Sequence, residues 1–106
     1  MQLEDTPDDR DLEKALQQAI KKEDYRMATR YLFLITLNRL GEKGVLQLST
    51  EKTNYQYATE LAGKPYANQF AKLSLPYEYV WFGGFTINQQ QFAALQQQHQ
   101  QFLKEI

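Results

Sequence analysis

The stretch from Asp24 to Leu40, DYRMATRYLFLITLNRL, is apolar on almost every side of a helix. Met27, Ala28, Tyr31, Leu32, Leu34 and Ile35 cover one broad half, and Phe33, Leu37 and Leu40 put bulk on the other. A helix that is hydrophobic all round has to be enclosed by other segments. This segment is therefore expected to be the spine of an all-α domain: a single compact bundle of about five helices around a buried second helix.

The flanking segments read as helices that could wrap such a spine. Leu12, Ala15, Leu16, Ala19 and Ile20 follow helical spacing, with Glu13, Lys14, Gln17, Gln18 and Lys21 on the opposite face. Thr6 is expected to cap this first helix and Pro7 to occupy its first position. Lys22 and Glu23 make a turn, and Asp24 caps the spine. Gly41 or Gly44 ends it. Leu46 and Leu48 alternate weakly with Gln47, so a short extended piece is expected from Val45 to Ser49.

Thr53-Asn54-Tyr55-Gln56 has the capping-box form and opens a short helix to about Ala62, stopped by Gly63. Pro65 is placed in the first turn of the next helix. That helix carries the stripe Tyr66, Phe70, Leu73, Tyr77, Val80 and Trp81, which keeps its phase across Pro76. Preserved phase predicts one kinked helix, although an interior proline costs ~3 kcal/mol. Gly83-Gly84 breaks it, and Thr86 or Asn88 caps the last helix. There Phe92, Leu95, His99, Phe102, Leu103 and Ile106 line one face and glutamines most of the other. No linker interrupts the pattern, so residues 1–106 read as one domain.

Charge excludes several functions. Twelve Lys and Arg against 13 Asp and Glu give a net charge of -1, without the clustered basic excess of a nucleic-acid footprint or of adhesion to an anionic membrane surface. The L-x-x-x-G-x-L after the spine has a faint winged-helix look and fails on the same ground. There is no cysteine, so neither disulfide nor thiolate chemistry is open to the chain. The acidic start, MQLEDTPDDRD, lacks the build of a signal peptide. The longest apolar run, Tyr31 to Leu37, falls far short of the ~20 residues that a membrane helix needs.

No catalytic constellation emerges. His99 is the only histidine, has no Asp or Glu one helical turn away, and is expected to be a half-buried histidine bonded to a carbonyl or water. Ser49 and Ser74 lack a nucleophile-elbow setting. The clustered carboxylates Glu4-Asp5 and Asp8-Asp9-Asp11 lie at a helix start, where the helix dipole explains them. Gly83-Gly84 follows a helix rather than a strand and makes no phosphate cradle. No catalytic residue, metal set or cofactor is assigned. Arg26 and Arg30 lie one turn apart on the narrow polar strip of the spine, with Arg39 nearer its apolar side. A guanidinium near a core needs a carboxylate, and Glu60 and Glu78 are the expected partners.

Fourteen residues are Phe, Tyr or Trp, more than a small helical core needs, and those left at the surface would mark recognition. Tyr79 and Phe82 lie off the Tyr66-to-Trp81 stripe and are expected to be exposed. Lys52, Asn54, Tyr55, Trp81 and Phe82 are the expected recognition surface.

Two resemblances follow from these residues. Leu12-x-x-Ala15-Leu16-x-x-Ala19 and Asp24-Tyr25-x-x-Ala28 resemble the hairpin of a tetratricopeptide repeat, but a single unit is visible and its closing proline is missing. Over some seventy residues, AIKKEDYRMATRYLFLITLNRL, GVLQLSTEKTNYQYATEL and YEYVWFGGFTINQQQF resemble a bacterial domain of unknown function found at the C-terminal end of membrane-anchored proteins, including transglutaminase-like ones. Its pattern falls here on Asp24-Tyr25, Ala28, Arg30 and Tyr31, on Leu40, Gly44 and Leu46, on Lys52-Thr53-Asn54, Tyr57 and Glu60-Leu61, and on Trp81-Phe82-Gly83. Phe82 departs from the usual tyrosine and loses a hydroxyl. The resemblance implies a soluble domain after a transmembrane helix, more on the cytoplasmic than the periplasmic side. It also implies protein partners in envelope systems, often beside MoxR-type ATPases and von Willebrand-type proteins, and no established activity.

The expectation is thus a non-enzymatic interaction domain that docks a protein partner through aromatic anchors. The alternative is a small-ligand domain that takes a saccharide or cell-wall fragment in a tyrosine-lined pocket with Arg30 or Asn54 at its base.

Overall fold

The computed structural model describes residues 9–49 and 51–106. Five helices follow in order: α1 Asp9–Lys21, α2 Tyr25–Glu42, α3 Asn54–Leu61, α4 Ala67–Trp81 and α5 Gln89–Glu105. No strand occurs among the described residues. The all-α bundle expected from the sequence is the architecture observed, while the predicted Thr6-Pro7 start of the first helix lies outside the described residues.

The spine is enclosed on both sides. Six consecutive residues of α2, from Leu32 to Leu37, are buried, which a helix achieves only with neighbours all round it. Phe33, Leu37 and Leu40 join one cluster with Tyr57 and Leu61 of α3, Phe70, Leu73 and Tyr77 of α4, and Phe102 of α5. Ala28, Leu32, Leu34 and Ile35 join a second cluster with Leu12, Leu16 and Ala19 of α1 and Phe92 and Leu95 of α5. The buried hydroxyls of Thr36 and Ser74 bond back to the carbonyls of Leu32 and Phe70, at 3.2 and 2.9 Å, so they cost the core no unmet donor.

Local signals set the helix ends. α1 closes on a pair of bonds from Glu23 N to Ile20 O and from Asp24 N to Ala19 O, at 3.0 and 2.8 Å. This αL closure places Glu23 at φ 59°, at a cost of roughly 1–2 kcal/mol for a residue with a Cβ. The side chain of Asp24 then accepts from Met27 N at 3.2 Å to start α2. Of the two glycines offered as the end of the spine, Gly44 is the stop. At φ 73° it lets Val45 N reach Leu40 O and its own N–H reach Gly41 O, both at 3.0 Å, a Schellman closure. Gly41 stays inside the helix, and Leu48 packs directly on it: an added Cβ would come within 2.7 Å of Leu48 Cδ1.

The capping box at Thr53 forms as read, and Asn88 rather than Thr86 caps α5 with a second box to Gln91. From Val45 to Ser49 the chain bends and then runs without strand pairing. One sequence expectation is corrected. Pro65 lies before α4 and not in its first turn: Lys64 N bonds Leu61 O and Ala67 N bonds Lys64 O, at 2.9 and 3.2 Å, so the chain turns twice before the helix starts. α4 then runs unbroken through Pro76. No helix among the described residues is long and apolar enough to cross a membrane.

Candidate functional site

The sequence-predicted residues fall in three separate places. The first is a ladder of rings rising from the core at the end of α4. Buried Phe33 stacks on Tyr77 at 4.3 Å between centroids, with planes 7° apart. Tyr77 lies 6.4 Å from the nearly parallel half-buried Trp81, and Arg26 and Arg30 place their guanidinium carbons 3.9 and 4.3 Å from the indole. Arg26 also donates to Trp81 O and Arg30 to the Tyr77 hydroxyl, at 3.1 and 3.2 Å. The expected partnership of these arginines with Glu60 and Glu78 is therefore wrong. The indole face, a helix-end carbonyl and a phenol take the place of carboxylates, an arrangement open to a planar, weakly hydrated cation. Burial raises the Tyr77 phenol above its ordinary value, and the nearby Arg30 charge opposes that shift.

The second place is the loop between α2 and α3. Lys52 Nζ donates to Gln47 O at 2.6 Å and to the Glu60 carboxylate, which in turn accepts from Gln47 N at 2.9 Å. The Tyr57 hydroxyl accepts from Ser49 N and donates to Ser49 O, at 3.2 and 2.9 Å. The Lys52 bond, then the Gln47 amide, holds the Glu60 carboxyl below its ordinary value. Lys52 thus ties down a loop that has no strand partner. Lys52→Ala is expected to lower stability by about 0.5–1 kcal/mol, since the pair is partly solvated. Urea unfolding measures that loss, and the amides of residues 45–49 should exchange faster. Asn54 is half-buried in the first turn of α3, and Tyr55 beside it is 80% exposed. No ring contact joins Tyr55 to Tyr79, Trp81 or Phe82.

The third place was only half legible. Tyr79 and Phe82 are exposed, as expected of residues off the buried stripe. Phe82 sets its ring edge-on to Tyr77 at 6.1 Å and so belongs with the first place, whereas the surface around Tyr79 is larger than the sequence implied. Leu75, Tyr79 and Phe85 are 49%, 50% and 64% exposed. The last two rings lie 5.4 Å apart, because Phe85 N bonds Tyr79 O at 3.1 Å and folds the loop back over α4. Leu75 and Tyr79 border a groove of about 880 Å³ between α4 and α5, floored by Leu73, Pro76 and Phe102, walled by Gln97, Gln98 and Gln101, and carrying Lys72 and Glu105 at one end. A second hollow of about 370 Å³ continues it towards Phe85 and Ile87, past Pro76, Tyr79 and Ala94. The Leu75–Tyr79 spacing of one helical turn was the available signal. The glutamines alone read as a plain solvated face. Neither Arg30 nor Asn54, the residues expected at the base of a tyrosine-lined pocket, borders either of these two hollows.

His99 is more deeply set than expected, at 1% exposure. Its Nδ1 lies 2.6 Å from the Thr36 hydroxyl, and burial pushes its pKa down to about 3. No group of three or more His, Asp or Glu suited to a metal occurs among the described residues. Comparison of the chain with protein families, with curated proteins and with solved structures finds no match.

Proposed function

We propose that this chain is a non-enzymatic interaction domain that docks a protein partner along the seam between α4 and α5, as an accessory part of a bacterial membrane-anchored envelope protein. The observation that carries the docking reading is the gathering of Leu75, Tyr79 and Phe85, all about half exposed or more, along two adjoining hollows whose lining is apolar and carboxamide apart from Lys72 and Glu105 at one end. Large apolar side chains that desolvate on contact supply most of the energy of such a surface, while the surrounding carboxamides can donate and accept without imposing charge. The envelope placement, on the cytoplasmic face beside MoxR-type ATPase systems, is supported by the resemblance carried by Asp24-Tyr25, Lys52-Thr53-Asn54 and Trp81-Phe82-Gly83.

The docking reading is tested by placing a photo-crosslinking amino acid at Tyr79 or Phe85, with Lys14 on the exposed face of α1 as control. Discrete adducts from the two groove positions and none from Lys14 are expected in cells. Equal yields from all three positions, or none, would reject it.

A further inference from the structure

We propose that the α4–α5 face is closed by a second copy of this chain, packed about a two-fold axis that runs parallel to the two helices. The inference rests on reading that face as a docking surface, and what it adds is the identity of the occupant.

The helices form an antiparallel hairpin, so the groove has a closed end at Phe85 and Gln91 and an open end where Lys72 and Glu105 lie on opposite walls. Between those ends the walls are carboxamides and apolar groups. A face of this kind can meet itself with no like-charge repulsion, which a charged rim would forbid.

The open end then selects one arrangement. Lys72 makes no ion pair among the described residues, and Glu105 is held only by Gln101 Nε2 at 3.5 Å. A two-fold axis parallel to the helices lays α4 of one protomer along α5 of the other at the same height, so each Lys72 meets the other protomer's Glu105. The same ion pair then forms twice, once on each side of the axis. An axis across the helices would instead set Lys72 against the uncharged hairpin end. In the parallel arrangement every neighbouring pair of helices is also antiparallel, as in an up-and-down four-helix bundle.

The fit has a physical reason in the side chains. Leu75 and Tyr79 stand one turn apart on α4, while Ala94 opposite them on α5 is small. The bulky pair of one protomer therefore finds room over the small residue of the other, a self-complementary contact of the kind a two-fold interface requires. Three to four turns of two helices bury roughly 1,200 Å² in total, the lower end for specific association. A dimer with a midpoint of about 1–100 µM is expected.

Sedimentation equilibrium of the full chain from about 1 µM to about 1 mM tests the proposal. A monomer–dimer equilibrium in that range is expected, and Tyr79→Glu should abolish it. Phe85→Ser serves as a second face variant should Tyr79→Glu fail to fold by circular dichroism. Lys72→Glu alone and Glu105→Lys alone should each weaken the dimer about tenfold, and the two together should restore it to within about threefold. A monomer throughout the range would overturn the proposal, as would a dimer indifferent to the face variants or a double swap that restores nothing. A monomer that still yields a discrete heterologous adduct from Tyr79 would sink the second copy and leave the docking reading standing. Absence of both would sink the two together.

Discussion

Replacing Phe33 with alanine is expected to destabilise the domain by about 3–5 kcal/mol, and Ile35→Ala by about 2–5 kcal/mol, although the two side chains point to opposite sides of one helix. Phe33 is fully buried against Tyr77 and Phe70, whereas Ile35 is 2% exposed in the other cluster. Each truncation leaves a cavity that close-packed neighbours cannot refill. A domain of this size is stabilised by only about 5–15 kcal/mol, so either variant should lower Tm by tens of degrees. Calorimetry of both is the direct test of an enclosed spine. An ordinary amphipathic helix would show a large loss on one side only, and a loss below about 1 kcal/mol for either variant would contradict the architecture.

The second large effect is a dependence of stability on pH set by His99. Its folded pKa is depressed to about 3 by burial, against about 6.5 in an unfolded chain. Below pH 6.5 the unfolded chain binds a proton that the folded chain refuses, so stability is complete above that value and falls as the solution is acidified. Well inside the window the slope approaches about 1.4 kcal/mol per pH unit, or roughly 2–3 kcal/mol by pH 4.5. From there downward the protonation of Glu60, whose carboxyl is held below its ordinary value of 4.5, removes stability as well. The interval from pH 6.5 to about 4.5 therefore isolates the histidine. His99→Leu should flatten the slope there while changing stability at pH 7 by less than about 1.5 kcal/mol, because the Thr36 hydroxyl keeps its bond to Leu32 O. Urea titrations across the interval decide it: an unchanged slope in His99→Leu assigns the effect to other groups.

How much of this could be read from the chain follows from where each interaction reaches. The buried spine was legible because its apolar positions lie within one segment and exclude any solvated face. The capping box at Thr53 was legible because it closes over three residues, while at the last helix the choice between Thr86 and Asn88 was left to the structure. The arginine contacts were not, since Arg26 and Trp81 are 55 residues apart. Helical phase placed Trp81 in the core stripe without revealing that the helix ends there and turns the indole to the rim. The groove was hidden for a related reason. Whether α4 and α5 close together depends on the bulk of facing residues such as Leu75 and Ala94, which periodicity does not rank. The tether of Lys52 to Glu60 escaped notice because an irregular loop shows no repeat, and its unmet backbone groups become apparent only once the path is known.

The junction of the first two helices carries a consequence for how this chain can vary. Asp24 finishes one helix with its amide and begins the next with its carboxylate, leaving no spare residue between them. Adding or deleting a single position there would rotate the first helix relative to the second by more than a quarter turn and point Leu12 and Leu16 away from the second helix. Length changes among related chains should therefore collect between residues 45 and 53, whereas the spacing from Ala19 to Ala28 should stay constant even where its side chains drift.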